Sequence, residues 1–462
     1  MSKTLEQRLA DIRQQIRGSV IMPEDMEYDD ARALWNAMID RRPAAIVRCA
    51  SSDDVARTLE AARETQRPVT VRGGGHNIAG SAVCDDGIVV DLSPLASVQI
   101  DAELRRARVG PGARLGDFDA AAQEHGLATP LGINSTTGVA GLTLGGGFGW
   151  LSRRNGMTID NLLAADVVTA EGHALRASAD ENPDLFWALR GGGGNFGIVT
   201  AFEFALQPVG PEVTAGLYVF PFDQTRTVLA GLRALAGDLP DECAVWGILR
   251  QAPPLPFLPE TVHGEPVAVL AACHVGSPAA AAADLAPLDT LADTLGTHVG
   301  RQPYAQWQQA FDALLTPGAR NYWKTHNFAG LDDDLIDILA DHAGRLPTPE
   351  CEILVAMLGG AVTRVPADAT AYPHRDARFV MNVHGRWRER EEDAAVIAWS
   401  RSLFNAAAPF ATGGAYVNFM TEDESERVQT AYGPAYQRLA QLKRRYDPDN
   451  VFRINQNIRP TA

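Results

Sequence analysis

Short apolar runs and amphipathic helical patterns alternate over the first 208 residues. The runs typical of strands lie at residues 45–49, 69–71, 88–92 and 198–206. Two further pairs of runs predict hairpins, at residues 98–100 with 106–109 and at residues 163–169 with 173–177. Helical patterns lie at residues 1–40, 52–65, 112–126 and 184–189, and Ser51 provides an N-cap for the second of them.

The pattern changes after Pro208. Strand-like runs at 217–220, 244–249, 267–274, 352–358 and 378–383 are interspersed with helical patterns at 224–236 and 278–295. This mixture predicts an α+β unit with a single sheet covered by helices on one face. The tail carries a strand-like run at 415–419 and then a helix that ends near Arg444. We therefore divide the chain into residues 1–208, 209–411 and 412–462.

Composition excludes several classes of function. The 462 residues carry a net charge of -16, so the surface repels nucleic acid and anionic lipid. No run of about 18 apolar residues predicts a membrane span, and the polar N-terminus does not resemble a signal peptide. Five scattered cysteines are typical of a reducing compartment. We expect a cytoplasmic protein, and the absence of paired-cysteine and zinc-protease motifs predicts no metal.

Three glycine-rich segments stand out as candidate binding loops. The strand ending at Val71 leads into Arg72-Gly-Gly-Gly-His-Asn77, and further loops follow at 145–149 and 191–197. Glycine leaves the backbone amides open to a ligand, and successive amides bind phosphate well. Residues 192–197 match Gly-x-Gly-x-x-Gly, but a predicted helix precedes them and a strand follows, the reverse of a dinucleotide-binding turn. The loops therefore predict a phosphate-bearing cofactor held in another geometry, with His76 touching it.

Five segments together carry a resemblance to a known family. They are residues 72–77, 138–150, 160–172, 185–200 and 446–458. In this order they resemble the vanillyl-alcohol-oxidase flavoprotein superfamily, in its berberine-bridge-enzyme-like branch. The resemblance covers nearly the whole chain, and the length and single tethering histidine are most similar to the bacterial members.

The resemblance implies a fold and a cofactor. It implies a PCMH-type FAD-binding domain of two α+β subdomains over residues 1–208. A substrate domain with an antiparallel sheet covered by helices follows at 209–411. Residues 412–462 would form a C-terminal segment that returns to the FAD domain.

In this family the histidine after the triple glycine forms an 8α-histidyl bond to FAD, so His76 is the expected tether. Many relatives add a second bond from a cysteine, but Asn134 occupies that position here. The resemblance therefore implies one covalent link. Plant relatives place a histidine where this chain has Leu142, and Thr137 and Leu142 are expected near the ring where oxygen approaches.

The resemblance and the glycine loops together give a set of expected cofactor-binding residues. These are Arg72, Gly73, Gly74, Gly75, His76, Asn77, Gly80, Ser81, Thr137, Gly138, Gly141, Leu142, Gly145, Gly146, Gly147, Gly149, Asn161, Gly197, Ile198, Val199, Asn455 and Asn457.

Three residues are candidates for the catalytic chemistry. In several relatives a tyrosine at the position of Phe419 helps to deprotonate the substrate, which leaves Tyr416, expected on the opposite face of a strand. Glu350 and Glu352 are two apart and would share one face of a strand over the flavin, where they could bind a cationic amine or act as a base with a raised pKa. Further pocket candidates are residues 321–324 and 370–375.

These features predict a FAD-dependent oxidase. It would take a hydride from a C–H bond next to an amine or hydroxyl of a small molecule, and O2 would reoxidise the flavin to give H2O2. The alternatives are a FAD-dependent dehydrogenase, a tailoring or cyclising enzyme for a secondary metabolite, and a non-enzymatic small-molecule-binding protein. The acidic balance favours a cationic or neutral substrate over an anionic one, and the motifs specify neither the substrate nor the oligomeric state.

Overall fold

The first sheet carries the loop that contains His76. The structure, a computed structural model, describes residues 4–461. Strands β1 (Ser19–Ile21), β2 (Ala45–Arg48), β3 (Val69–Arg72) and β4 (Ile88–Asp91) form a sheet in the order β1-β2-β4-β3. Helices α1 (Leu5–Gln15), α2 (Tyr28–Arg32) and α3 (Ser52–Glu64) accompany it, and Ser51 caps α3 as predicted.

A second sheet of five strands follows, in the order β5-β6-β10-β8-β9. Its strands are β5 (Val98–Asp101), β6 (Arg106–Val109), β8 (Leu162–Val168), β9 (Ala174–Ser178) and β10 (Ile198–Ala205), and β7 (Leu127–Ala128) pairs with β11 (Gln207–Pro208) nearby. The helices of this part are α4 (Leu115–Gln123), α5 (Val139–Leu144), α6 (Ser152–Asn155) and α7 (Pro183–Leu189). Both predicted hairpins are confirmed as antiparallel pairs. The loop at 191–197 lies between a helix and a strand, as predicted.

The third sheet has seven antiparallel strands in the order β15-β12-β14-β13-β17-β18-β16. Its strands are β12 (Glu212–Pro221), β13 (Cys243–Gln251), β14 (Pro266–His274), β15 (Gly296–Pro303), β16 (Arg320–Phe328), β17 (Glu352–Met357) and β18 (Phe379–Trp387). The helices of this part are α8 (Thr225–Asp238), α9 (Pro278–Asp289), α10 (Tyr304–Trp307), α11 (Asp333–Ala343), α12 (Ala361–Arg364) and α13 (Asp393–Ala407). Helices α8, α11 and α13 pack against this sheet. The single antiparallel sheet is confirmed.

The tail packs back onto the second sheet. Helices α14 (Val428–Tyr432) and α15 (Tyr436–Tyr446) contribute Leu439 and other apolar side chains to the core shared with α7 and β10. Residues 452–458 then run beside the loop at 191–197, where the Asn195 side chain bonds the backbone of Gln456 and Ile458. Within residues 4–461, no helix is long and apolar enough to cross a membrane.

Three predictions of local structure are wrong, and two strands were not predicted. Residues 1–40 were predicted to be helical, but Ser19–Ile21 forms strand β1 and pairs with β2. The first three residues of that prediction lie outside the described part of the chain. Residues 415–419 form no strand, since a 3-10 turn spans Val417–Phe419. Strands β15 and β16 were not predicted, because polar residues break the apolar alternation of both. Helix α9 ends at Asp289 rather than at Leu295.

Candidate active site

One deep cavity lies where loops of the first two sheets meet one face of the third. The glycine-rich wall comes from segments within residues 73–77, 137–145 and 193–199. The opposite wall comes from side chains of β13, β16, β17 and β18, and residues 416–419 and 452–456 complete it. The expected cofactor residues that line this cavity are Gly73, Gly74, Gly75, His76, Asn77, Ser81, Thr137, Gly138, Gly141, Leu142, Gly145, Gly197, Ile198, Val199 and Asn455.

The first two glycine-rich segments touch through their backbones. A Cβ added to Gly74 would lie 2.3 Å from the Gly138 nitrogen, and one added to Gly138 would lie 2.4 Å from the Gly74 nitrogen. Any side chain at either position would force the two segments apart. At Gly141 and Gly194, by contrast, an added Cβ would meet no atom within 4 Å, so open cavity lies against the backbone there.

Unpaired polar groups belong to residues that line this part of the cavity. The backbone N–H groups of residues 74–77 donate to no other described residue, whereas the N–H of Gly80 is bonded to the Asn77 carbonyl. The Oδ1 atom of Asn455, a lining residue, is buried without a partner. Consecutive free amides favour phosphate oxygens. The lining residues therefore fit FAD, which is a dinucleotide with a planar ring system.

His76 lies on the cavity wall between two partners. Its ring stacks on Trp35 with centroids 5.0 Å apart and planes inclined by 22°. Its Nε2 atom is 2.9 Å from the Thr136 hydroxyl. Burial, helped by the charge of Arg114, lowers the pKa of His76 to about 3. The imidazole is therefore neutral at physiological pH and retains one nitrogen lone pair for a nucleophilic role.

Four of the expected cofactor residues shape the second loop or its support without lining the cavity. Gly146 has φ +125° and Gly147 has φ +75°, values that glycine adopts readily. The Gly149 backbone packs on Leu131, whose carbonyl oxygen would be 1.8 Å from an added Cβ. Asn161 donates to the carbonyls of residues 155 and 157. None of these four lines the cavity, so their contact with the cofactor stays a prediction.

The other three also lie outside the lining. Arg72 is buried and paired with Asp91 at 2.7 Å, an ion pair that joins the ends of β3 and β4. Gly80 accepts a hydrogen bond from Arg41. The Asn457 Oδ1 atom is buried without a partner beyond the end of the cavity wall. Asn455 is thus the member of the predicted tail pair that reaches the cavity.

A row of side chains crosses the third sheet above the cavity. Trp323 on β16 lies opposite His384 on β18, which lies opposite Glu352 on β17. Glu352 in turn lies opposite Arg250 on β13. Facing residues in a sheet share one side, so Trp323, His384 and Glu352 all reach the cavity. The aromatic rings of Trp35, Phe148, Trp246, Tyr416 and Phe419 line the same part of the cavity, and we call this part the chamber.

The predicted base Glu352 does line the cavity, but its predicted raised pKa is wrong. Its carboxylate accepts from Arg250 at 2.7 Å and contacts His384 Nδ1 at 3.1 Å. Burial alone would raise the pKa of Glu352, but the Arg250 charge and the His384 contact outweigh burial and lower that pKa to about 2. Burial lowers the pKa of His384 despite that contact. Arg250 therefore balances the Glu352 charge, which weakens the predicted role in binding a cationic amine.

Glu350 is not a cavity residue, so its predicted role in the site is wrong. It precedes β17 and accepts from Arg386 at 2.9 Å and from Arg388 at 2.8 Å. Neither arginine lines the cavity, although the Arg386 guanidinium lies 5.2 Å from the ring centroid of Trp35, which does. The two-residue spacing of Glu350 and Glu352 predicted that both lie on one face of a strand. That spacing does not show that Glu352 lies over the cavity while Glu350 lies just before the strand begins.

Tyr416 reaches the cavity with an unusual hydrogen-bond arrangement. Its hydroxyl oxygen accepts from the Gly147 N–H at 3.1 Å and from Asn418 Nδ2 at 2.9 Å. The hydroxyl hydrogen is donated to no other described residue. Burial raises the pKa of Tyr416 to about 12, although both donors oppose that rise. The hydroxyl is therefore protonated at neutral pH and free to donate into the chamber.

The predicted separation of Tyr416 from Phe419 is wrong. The 3-10 turn at Val417–Phe419 brings their rings to 4.8 Å in an edge-to-face contact. Asn418, which sequence analysis did not select, packs on the Gly145 backbone, where an added Cβ would be 2.2 Å from its Oδ1 atom. Gly145 was the signal in the sequence for this contact. A glycine in a loop often marks a position where a neighbouring side chain packs directly on the backbone.

The two further pocket candidates have different outcomes. Trp323, from residues 321–324, lines the cavity, and Lys324 is buried and bonded to Thr421 and Asp423 on the tail. Residues 370–375 do not line it, and Arg375 pairs with Asp160 at 2.7 Å. Within the described residues, no cluster of histidine, cysteine and acidic side chains could hold a metal.

Comparison with known proteins agrees with this geometry. Residues 43–178 match the model of an FAD binding domain, and residues 415–459 match the berberine and berberine-like model. The (R)-6-hydroxynicotine oxidase of Paenarthrobacter nicotinovorans is 32% identical over 466 residues, which cover 96% of this chain and 97% of that protein. The xylooligosaccharide oxidase of Thermothelomyces thermophilus is 30% identical, over 94% of this chain and 90% of that protein.

The likeness extends to a solved structure. The crystal structure of 6-hydroxy-D-nicotine oxidase from Arthrobacter nicotinovorans matches with a TM-score of 0.86 at 30% identity, and the match covers 96% of this chain and 98% of that one. The family and the FAD cofactor that the resemblance implied are thereby confirmed. The chain belongs to the berberine-bridge-enzyme-like family of FAD-linked oxidoreductases and is an enzyme of that class.

Proposed function

We propose that this enzyme is an oxidase that removes a hydride from a C–H bond next to an amine or hydroxyl of a small molecule. The bound FAD would supply the redox chemistry, accepting two electrons from the donor and passing them to O2 to give H2O2. The observation that carries the proposal is the continuous cavity that joins the glycine-rich wall to the chamber containing Tyr416.

His76 is proposed as the only covalent anchor of FAD. Its neutral imidazole and its place on the cavity wall support this role. Asn134 also lines the cavity but has no nucleophilic atom, so a second bond from that position is not expected. A single tether fixes the ring while the free amides of residues 74–77 bind phosphate.

The chamber supports a neutral donor with an aromatic or apolar framework. Its wall is mainly aromatic, and Arg250 balances the charge of Glu352, so no net negative charge is left for a cationic substrate. The similar proteins bear the names of a hydroxynicotine oxidase and a xylooligosaccharide oxidase, which supports a small molecule. O2 would approach past Thr137 and Leu142. A cytoplasmic location stays a prediction.

Tyr416 is proposed to contact the donor's oxygen or nitrogen. At neutral pH its protonated hydroxyl donates to a lone pair of that atom and so orients the adjacent C–H bond. When Tyr416 is ionised it accepts the donor's proton, and the Gly147 N–H and Asn418 amide stabilise the resulting charge. Both roles require the hydroxyl.

A screen of alcohols, amines and sugars under anaerobic conditions tests the proposed reaction. A true donor is expected to bleach the flavin absorbance. Admission of air is expected to restore the absorbance and to form one H2O2 for each flavin that is reoxidised. Matched neutral aromatic donors are expected to react faster than their anionic analogues. Bleaching that air does not reverse, but an artificial acceptor does, would replace the oxidase by a dehydrogenase.

The covalent tether has its own test. The purified protein is expected to be yellow and to keep its colour in the pellet after acid precipitation. His76→Ala removes the nucleophile, so we expect flavin that is bound but fully released by acid. His173→Ala, at an exposed hairpin histidine, is the matched control and should retain the colour. Acid-stable flavin in His76→Ala would contradict the tether.

A further inference from the structure

We propose that the buried carboxyl group of Asp119 and the amide of Gln308 form a proton-dependent junction that holds residues 132–137 in the wall of the flavin cavity. Residues 132–134 and 137 line that cavity, and Thr136 contacts His76. Neither Asp119 nor Gln308 lines the cavity, so both are positioning residues. Their role concerns the cavity wall itself and does not depend on the substrate.

One side of the segment 132–137 is held by the start of α4. The backbone N–H of Leu115 donates to the Thr137 carbonyl at 2.9 Å. The backbone N–H of Gly116 donates to the Ser135 carbonyl, also at 2.9 Å. A displacement of α4 therefore pulls directly on the cavity wall.

The other side of the segment is held by the stretch that follows α10. Asp312 accepts a hydrogen bond from the Ser135 N–H at 2.9 Å, and it also bonds the Ser135 hydroxyl. The Gln308 Nε2 atom donates to the Gly132 carbonyl at 3.2 Å. Residues 132–137 are thus pinned between α4 and a part of the chain that belongs to the third sheet.

Asp119 connects these two sides. It lies about one turn after Gly116 on α4, and its Oδ2 atom accepts from Gln308 Nε2 at 3.0 Å. The two hydrogens of that amide nitrogen therefore serve Asp119 and the Gly132 carbonyl. The amide cannot be reversed, because its oxygen would then face the Gly132 carbonyl oxygen with no hydrogen between them.

The surroundings of Asp119 provide no cation that could balance a negative charge. Asp119 is 2% exposed and Gln308 is 1% exposed. Within the part of the chain that the structure describes, the one side-chain partner of Asp119 is this neutral amide. An unpaired carboxylate in such a place is costly, so the neutral acid is the form that fits the junction.

The titratable groups around Asp119 do not change this conclusion. The elements packed most closely on α4 are β5, β7 and α10. Strand β5 ends at the exposed Asp101, β7 has no titratable residue, and α10 contributes Tyr304, whose pKa is raised by burial. On α4 itself, Asp117 is exposed. Burial raises the pKa of Asp119 to about 7, although the Gln308 hydrogen bond opposes that rise.

Loss of the proton from Asp119 places an uncompensated charge between α4 and α10. Water reaches that charge only when the two helices separate, and their separation breaks the Gln308 contact and loosens residues 132–137. An exposed aspartate has a pKa of about 4, so the carboxyl group binds its proton more tightly in the closed junction. The closed form therefore loses stability as the pH increases towards about 7, and above that value its stability no longer changes.

Hydrogen–deuterium exchange of the flavin-loaded enzyme tests the junction. Asp119→Asn keeps the shape of the side chain and can accept from Gln308, but it has no proton to lose. Intrinsic exchange rates change with pH, so the measured quantity is the rate in the wild type divided by the rate in Asp119→Asn at the same pH. For peptides that contain residues 115–116 and 132–137, this ratio is expected to increase about tenfold from pH 6 to pH 8 and then to stay constant up to pH 9.

Two further variants support this comparison. Glu124→Gln, at the exposed end of the same helix, is the matched control and should exchange within about twofold of the wild type at each pH. Asp119→Leu is a second neutral variant, and it replaces Asp119→Asn in the ratio should that variant fold poorly.

Infrared spectroscopy detects the proton directly. The difference spectrum between the wild type and Asp119→Asn should contain the C=O band of one protonated carboxyl group at pH 6 and lack it at pH 9. Absence of that band at pH 6 would overturn the junction. The same conclusion follows if the exchange ratio at residues 132–137 is independent of pH, or if it increases equally in peptides from the whole third sheet.

Discussion

Tyr416→Phe is expected to slow reduction of the flavin by a good donor roughly a hundredfold to ten-thousandfold. The substitution keeps the ring and its contact with Phe419 but removes the hydroxyl that faces the chamber. It also removes the acceptor of the Gly147 N–H and one of the two acceptors of the Asn418 amide, which still donates to the Leu142 carbonyl. Stopped-flow measurement of flavin bleaching under anaerobic conditions gives the rate directly.

The pH dependence of the same rate separates the two forms of Tyr416. The pKa of Tyr416 is raised to about 12, so below that value the ionised fraction increases about tenfold per pH unit. For an alcohol donor, whose proton must leave, the wild-type reduction rate should rise with pH through the alkaline range. Tyr416→Phe should lose this rise, because no phenolate can form.

Tyr432→Phe is the matched control for this experiment. Tyr432 is also buried and does not line the cavity, and its hydroxyl hydrogen is shared between the carbonyls of Gly192 at 3.3 Å and Gln456 at 3.5 Å. The same chemical change there should leave the reduction rate within about twofold, since it removes one ordinary hydrogen bond. Equal rates for the wild type and Tyr416→Phe, at equal flavin content, would remove Tyr416 from the proposed chemistry.

The local elements were predictable because their signals are local. Ser51 before α3 and the short apolar runs of β2, β3 and β4 each reside in a few consecutive residues. The reversed order of helix, glycine loop and strand at 183–205 could also be read from adjacent patterns. These elements suffice to predict a phosphate-bearing cofactor held outside a dinucleotide-binding turn, whereas the flavin-binding fold was implied by the family resemblance.

The polar side of the chamber was not predictable in this way. Strand β16 has the sequence Arg-Asn-Tyr-Trp-Lys-Thr-His-Asn-Phe. Its polar residues are buried because α13 and the tail pack against the strand, not because a regular apolar layer covers it. Glu352 was selected as an isolated carboxylate, yet Arg250 lies 102 residues away in the chain. The sign of its pKa shift depends on that distant partner.

The same limit applies to the residues behind His76. Asn134 was selected only as the position of a missing cysteine, and Thr136 was not selected, because neighbouring polar residues in a loop give no pattern. Their hydrogen bonds become visible only when the loop at 134–136 is placed beside the loop at 73–77. These hydrogen bonds are therefore a property of the tertiary structure.

Lys443→Met is expected to lower the free energy of unfolding by roughly 3–5 kcal/mol, the usual cost of leaving one buried charge unpaired. Lys443 and Asp447 are both fully buried and 2.6 Å apart. The Lys443 ammonium also donates to the carbonyls of Asn195 at 2.9 Å and Phe452 at 2.8 Å. It thereby joins α15, the third glycine-rich loop and the tail in one cluster.

The Lys443 cluster also borders the flavin cavity, since Phe452 and Asn455 line it. We therefore expect Lys443→Met to be purified with less flavin per protein, as well as to unfold at a lower denaturant concentration. Flavin absorbance per mole of purified protein measures the first effect, and chemical denaturation followed by circular dichroism measures the second. Arg444→Met, at the exposed neighbour, should change the free energy of unfolding by less than about 0.5 kcal/mol.

A second variant identifies the unpaired charge as the cause. Asp447 accepts hydrogen bonds from the backbone N–H groups of Val451 and Phe452. In Asp447→Asn the side-chain amide oxygen can still accept one of these bonds, but the negative charge is gone. The double variant Lys443→Met with Asp447→Asn should therefore be more stable than Lys443→Met alone, although less stable than the wild type. If the double variant is the less stable of the two, the loss arises from the missing donor to Asn195 and Phe452 and not from the carboxylate. That result would contradict the charge-pair explanation.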